Sequence, residues 1–170
     1  MQITLASLEE TIALGRVMGD LLADSPIPVF FYGDLGMGKT TLIGSLSSSL
    51  PGGENAETSS PSFTLCNMYP TSPPVAHFDL YRQENGSVDE SLLDFLDGER
   101  HLVLVEWAER LPEYALPPTR LRCEMAAGEN GRTICFTPYG LDAEHVMEAL
   151  QTALRSHTVF SPAFSRGNNP

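Results

Sequence analysis

Gly33, Gly38, Lys39 and Thr40 stand at the spacing G-x-x-x-x-G-K-[ST] within the stretch GDLGMGKT. Residues of these types, so spaced, can hold a polyphosphate. Glycines let the backbone curl until successive N–H groups point inward at an anion. A helix beginning near Gly38 adds the positive end of its dipole. Lys39 then reaches the β- and γ-phosphates, the Thr40 hydroxyl ligates Mg²⁺, and Thr41 contacts the α-phosphate. The expected cradle is Gly33, Asp34, Leu35, Gly36, Met37, Gly38, Lys39, Thr40 and Thr41. Lys39 is the single lysine of the chain, its other basic residues being nine arginines. A lysine used once calls for a specific role rather than a share in surface charge.

A triphosphate site of this kind needs an acid at the end of a neighbouring buried strand, to hold the Mg²⁺ shell or orient a water. Two candidates exist: Glu106, which ends LVLVE, and Asp79, within AHFDLY. His77 reads as a packing or hydrogen-bonding residue rather than a general base. Trp107, the only tryptophan, reads either as core or as a lid over the site. Proteins with this cradle that read guanine use an Asn/Thr-Lys-x-Asp element. Lys39 is committed to phosphate and no second lysine exists, so ATP is the expected nucleotide.

The elements that must position these residues follow from periodicity and punctuation. Ser7 and Glu10 form a capping box before an amphipathic helix over 8–23, with Leu8, Ile12, Met18, Leu21 and Leu22 expected to face inward. PVFFY (28–32) fits a buried strand that feeds the glycine-rich turn. TLIGSLSSSL continues as a helix that ends before Pro51, and 51–61 reads as polar and mobile. SFTLCNMY (62–69) and VAHFDLY (75–81) read as a strand pair around PTSPP. Ser87 and Glu90 repeat the capping-box spacing before a short helix ending at Gly98, and HLVLVEW (101–107) is the strongest buried-strand signal. RLRCEM (120–125) and RTICFT (132–137) flank AAGENG as a second hairpin. Leu121, Cys123 and Met125 share one face of it, and Ile134 and Phe136 share another. Asp142 is expected to cap a final helix to about Arg155. Residues 1–157 read as a single domain and 158–170 as a disordered tail.

Bulk properties narrow the function further. The chain has 170 residues, a formal net charge of −12 and a pI near 4.6. Such acidity argues against unaided nucleic-acid binding, which needs basic surface to displace counterions. Cys66, Cys123 and Cys135 lack CxxC spacing and read as buried reduced thiols of a cytosolic protein. The N-terminal stretch lacks the basic region of a signal peptide, and no apolar run approaches a membrane span.

The blocks GDLGMGKTTL, SPSFTLCNMY, HFDLYR and LVEW occur in this order, and together they resemble the TsaE family, formerly YjeE. The likeness covers roughly residues 5–140. It implies a cytoplasmic P-loop ATPase with a mixed sheet flanked by helices, here an α/β domain with a C-terminal antiparallel hairpin. It also implies weak ATP hydrolysis, supported by a TsaB–TsaD complex that places threonylcarbamoyl on the adenosine next to the anticodon of tRNA. Under it, Thr40 and Glu106 hold Mg²⁺, Asp79 lies beside the metal and serves hydrolysis, and SPSFTL is a switch near the γ-phosphate. Ser62 stands where the family commonly has threonine, and Ala108 where it commonly has proline. The tRNA is met only through partners, and an acidic surface suits docking on a basic one. Arg82 is the candidate for an arginine finger, or for a brace of the switch. Two other readings use the same cradle. A small-molecule kinase would need an arginine-rich lid, whereas the arginines here are scattered. A nucleotide-sensing module would use ATP only to order 51–69 for a partner.

Overall fold

A computed structural model of the chain describes residues 1–55, 60–62, 64–98, 101–157 and 159–160. Seven strands form one mixed sheet: β1 (Gln2–Leu5), β2 (Val29–Tyr32), β3 (Cys66–Tyr69), β4 (Val75–Asp79), β5 (Leu102–Glu106), β6 (Arg120–Gly128) and β7 (Gly131–Tyr139). Their spatial order is β1-β7-β6-β2-β5-β4-β3. The helices are α1 (Leu8–Asp24), α2 (Lys39–Ser49), α3 (Glu90–Asp97) and α4 (Leu141–Ser156).

The central strands are buried throughout because both of their faces are covered. VFFY of β2 and LVLVE of β5 are buried at every position. Alternate residues enter two separate cores. Val29, Phe31 and Leu104 pack with Leu14, Met18, Leu42, Leu46 and Leu150 of α1, α2 and α4. Phe30, Phe78, Val103 and Val105 pack with Leu92 of α3 and with Leu111. Side chains of this size each contribute about 1.5–3 kcal/mol when fully buried. β2 runs parallel to both β5 and β6, and β4 runs parallel to β5. Four carboxyl ends, those of β6, β2, β5 and β4, therefore meet along one edge, where ligands gather in open α/β sheets.

The docking of α1 on α2 is unusually close. A methyl group on Gly15 would sit 2.6 Å from the Ser45 Cβ, and one on Gly19 would sit 2.5 Å from the Leu46 carbonyl oxygen. Side chains are excluded at both positions, which lets the two helix backbones meet.

Several sequence expectations need correction. Ser7 does cap α1, accepting from the Glu10 N–H at 3.2 Å, while the Glu10 carboxylate accepts from the Ala6 N–H at 2.6 Å. Leu8, however, is 54% exposed and Ile12 only half-buried, so the inward face is carried by Leu14, Met18 and Leu22. β1 was not expected. Its register with β7 places Leu5 opposite Arg132. The first hairpin strand begins only at Cys66, because Leu65 adopts a left-handed φ of 68° and a turn on the Pro61 carbonyl precedes it. α3 is capped by Asp89, whose carboxylate accepts from the Ser91 N–H at 2.9 Å, and not by Ser87. α4 starts after Gly140 rather than at an Asp142 cap. Within 51–61, Gly53–Asn55 form a 3-10 turn and 56–59 lie outside the described residues. The expected tail also lies outside them, apart from Val159 and Phe160, of which Phe160 packs against the core. Among the described residues no helix is long and apolar enough to cross a membrane.

Candidate functional site

The turn after β2 curls back on its own lysine. Lys39 Nζ donates to the carbonyl oxygens of Gly33 at 2.5 Å and Asp34 at 3.0 Å, and the side chain is buried. Gly33, at φ 129°, passes so near β6 that a Cβ would sit 2.1 Å from the Met125 carbonyl oxygen. Only glycine fits there. Gly38 is the left-handed N-cap of α2, so the first orphan N–H groups of that helix face the curl. Leu35 at the tip is 73% exposed.

Glu106 and Asp79 arrive by strand register. Glu106 pairs with Phe31 of β2 on one side and with Asp79 of β4 on the other. The Thr40 hydroxyl donates to Glu106 Oε1 at 2.8 Å or Oε2 at 3.0 Å. Asp79 accepts from the Tyr81 N–H at 2.9 Å, from the Ser62 hydroxyl at 2.7 Å and from the Ser60 hydroxyl. Both carboxylates are buried, as are Lys39 and His77. Burial pushes the Lys39 ammonium below its ordinary value, against the pull of Glu106 and, less strongly, of Glu109, Asp79 and Asp34.

His77 links two further groups. One ring nitrogen, Nε2, lies 3.0 Å from Glu106 Oε1, and the other, Nδ1, lies 3.0 Å from the Tyr69 hydroxyl. A chain of contacts thus runs from Tyr69 through His77 and Glu106 to Thr40. The sequence reading of His77 as a hydrogen-bonding residue holds, but neither Tyr69 nor this chain was legible in it.

Of the two readings of Trp107, the structure places it on the site, where it lines the cavity. It sits at a left-handed φ of 59°, and Lys39 Nζ lies 3.9 Å from its ring centroid. Tyr81 packs on the same indole at 4.9 Å between centroids. Ala108, where a proline was the commoner expectation, is buried and opens a 3-10 turn.

Leu35, Gly36 and Gly38 to Thr41 of the cradle, both acids and Trp107 line one cavity of about 480 Å³, whereas Gly33, Asp34 and Met37 do not border it and Met37 packs against the core. Arg82 also lines it, as do Ser60 and Ser62 of the expected switch and two residues the sequence reading did not place there, Tyr81 and Arg132. Arg132 comes from β7, and its Nε would stand 3.6 Å from a Cβ on Gly38. No sequence signal marks it, since it reaches the cradle only because β7 folds back beside β6.

A hydroxyl bonded to a carboxylate, next to a second buried carboxylate and facing a curl of N–H groups, is a donor set suited to a hard divalent cation carrying phosphates. The site therefore fits a nucleoside triphosphate with Mg²⁺.

A family model described as threonylcarbamoyl adenosine biosynthesis protein TsaE matches residues 5–134. The tRNA threonylcarbamoyladenosine biosynthesis protein TsaE of Nostoc sp. is 35% identical over 144 residues, 81% of this chain and 86% of that protein. The protein of the same name from Bacillus subtilis is 34% identical over 144 residues, covering 84% and 88%. Among solved structures, Bacillus subtilis YdiB superposes with a TM-score of 0.69 at 28% identity, over 90% of this chain and 95% of that one.

Proposed function

The chain belongs to the TsaE family of threonylcarbamoyl adenosine biosynthesis proteins, and from that premise we propose that it binds ATP with Mg²⁺ and hydrolyses it slowly, faster when docked on TsaB–TsaD. The family acts in tRNA threonylcarbamoyladenosine biosynthesis, so the pathway follows from membership. Catalysis, cofactor, partners and a cytoplasmic setting are the finer reading. The observation that carries it is the Thr40–Glu106 contact at the mouth of the Lys39 curl.

The proposed roles follow from position. The curl from Gly33 to Thr41 grips the phosphates through backbone N–H groups. Lys39 exchanges its two carbonyl contacts for β- and γ-phosphate oxygens, a stronger charge-assisted pairing. Thr40 and Glu106 hold Mg²⁺, with Asp79 beside it. The bound ion supplies neutralisation of charge on the phosphates as the γ-phosphoryl is transferred to water. Asp79, accepting from the Ser60 and Ser62 hydroxyls, ties these two residues to the reacting end of the site. Weak turnover alone is consistent with a site whose arginine contribution awaits a partner, or a shift of Arg82, which lines the cavity. The net charge of −12 suits docking on a basic surface and leaves tRNA to the partners.

The test is phosphate release from Mg-ATP by the protein alone and with TsaB–TsaD, for the parent and for Asp79→Asn. The reading expects slow release alone, stimulation by the complex, and loss of release with ATP binding retained in Asp79→Asn. No release with the complex present would leave a nucleotide-sensing module in its place. Transfer of phosphate to a metabolite would leave a kinase.

A further inference from the structure

Two side chains behind Glu106 have no part in the roles given above. His77 Nε2 lies 3.0 Å from Glu106 Oε1, and His77 Nδ1 lies 3.0 Å from the Tyr69 hydroxyl. We propose that His77 and Tyr69 are a positioning pair, which holds the Glu106 carboxylate in the orientation that meets Thr40 and takes Mg²⁺. The proposal rests on the metal reading given above and names what makes Glu106 a competent ligand.

Three observations lead there. The first is register. His77 pairs with Leu104 of β5 and with Asn67 of β3, so Glu106 and Tyr69 each stand two residues along from its direct partners. Two residues along is the same face of a strand, on a diagonal within reach of long side chains. The row crosses β3, β4 and β5 and ends at Thr40 in the first turn of α2.

The second is chemistry. The face that the row crosses is otherwise aliphatic, with Val75, Leu102 and Leu104 fully buried on it. Tyr69, His77 and Glu106 are 4%, 1% and 2% exposed. Packing alone needs no imidazole there, since an aliphatic side chain fills the space without a polar group to satisfy. A carboxylate only accepts hydrogen bonds, so Nε2 carries a proton and donates it toward Oε1. The Tyr69 hydroxyl on Nδ1 keeps the ring the right way round for that donation.

The third is the division of the two carboxylate oxygens. Oε1 meets both His77 and Thr40, whereas among the described residues Oε2 bonds to Thr40 alone. Oε2 is thus the more open oxygen for an ion. A carboxylate already fixed by a donor has little rotamer freedom left to lose when it binds a cation. Loss of such a donor typically costs about 10- to 100-fold in metal affinity.

The test is calorimetric titration of ATP, in Mg²⁺ and in a chelator, on the full chain and on His77→Ala, His77→Gln and Tyr69→Phe. His77→Ala should weaken ATP by about tenfold or more in Mg²⁺ and by less than about twofold in the chelator. His77→Gln returns an N–H donor to the row and should bring the Mg²⁺ affinity back to within about threefold of the parent. Tyr69→Phe keeps the ring and loses only the hydroxyl, so it carries the test if His77→Ala does not fold. It should weaken ATP by about threefold, in Mg²⁺ alone. Parent affinity in Mg²⁺ for His77→Ala or Tyr69→Phe would overturn the proposal, as would a His77→Gln no better than His77→Ala. Equal losses in the two media would also overturn it, being the mark of a structural brace. A parent that binds ATP equally with and without Mg²⁺ would overturn the metal reading itself, whereas a metal-dependent parent with unchanged variants would sink the positioning pair alone.

Discussion

The Thr40 hydroxyl lies within hydrogen-bonding distance of both carboxylate oxygens of Glu106, 2.8 and 3.0 Å away, across 66 residues of sequence. Thr40 stands in the first turn of α2 and Glu106 closes β5. The two are brought together because β2, which feeds α2, pairs directly with β5.

A cation shared by that hydroxyl and that carboxylate makes Glu106 matter only when metal is present. Glu106→Ala is expected to lower ATP affinity in Mg²⁺ roughly tenfold or more, because the metal is held by few protein groups. In a chelator, the affinities of variant and parent should converge. Titrations under both conditions check this, and equal affinity in Mg²⁺ would remove Glu106 from the metal shell.

Lys39 offers a separate handle because its ammonium stands over the single tryptophan. ATP that draws Nζ onto its phosphates should change the Trp107 emission, so the parent reports binding without a label. Lys39→Ala removes two or more charge-assisted contacts and should weaken ATP by on the order of a hundredfold. Unchanged affinity, read by calorimetry, would contradict the cradle.

His77 bridges Tyr69 and Glu106 with its ring 1% exposed. Replacing it with alanine removes the bridge between Tyr69 and Glu106 and leaves a void in the core. The expected cost is about 2–4 kcal/mol, read as a lower denaturant midpoint. A midpoint equal to the parent's would show that the bridge does not brace β4 against β5.

Burial also makes a pH prediction. It raises the Cys66 thiol to about 11 from 9.0, and it raises Cys123 as well. The folded chain holds these protons more tightly than the unfolded chain. The Cys66 contribution to stability is therefore complete below pH 9.0 and is lost as pH climbs through about 11. Alkylation of Cys66 in the native state should be slow at pH 8 and rise about tenfold per pH unit until it levels off. Fast native alkylation at pH 8, mapped to Cys66, would contradict the burial.

The parts of this molecule that were legible early are those written in contiguous residues. GDLGMGKT announces its own curl, because each glycine permits a φ that other residues avoid, and the strand before and the helix after are set by local apolar runs. The burial of β2 and β5 was equally plain. The failures have local causes too. β1 has only four residues, alternating exposed and buried, and leads almost at once into α1, so it carries too short a period to stand out. Asp89 displaced Ser87 as the cap because both are good acceptors two residues apart, and chain geometry chose between them. Leu8 fits an inward heptad position on paper, yet it lies at the helix end where α2 no longer covers it.

By itself, then, the sequence determined a phosphate-binding turn, a candidate pair of acids and membership of a family. The tertiary structure decided which acid meets Thr40, that His77 and Tyr69 stand behind it, and that Arg132 reaches the cradle. Dihedral preference acts between neighbours and can be read along the chain. Strand order and register act between residues tens of positions apart, and nothing in the local run of residues states which strand will lie beside which.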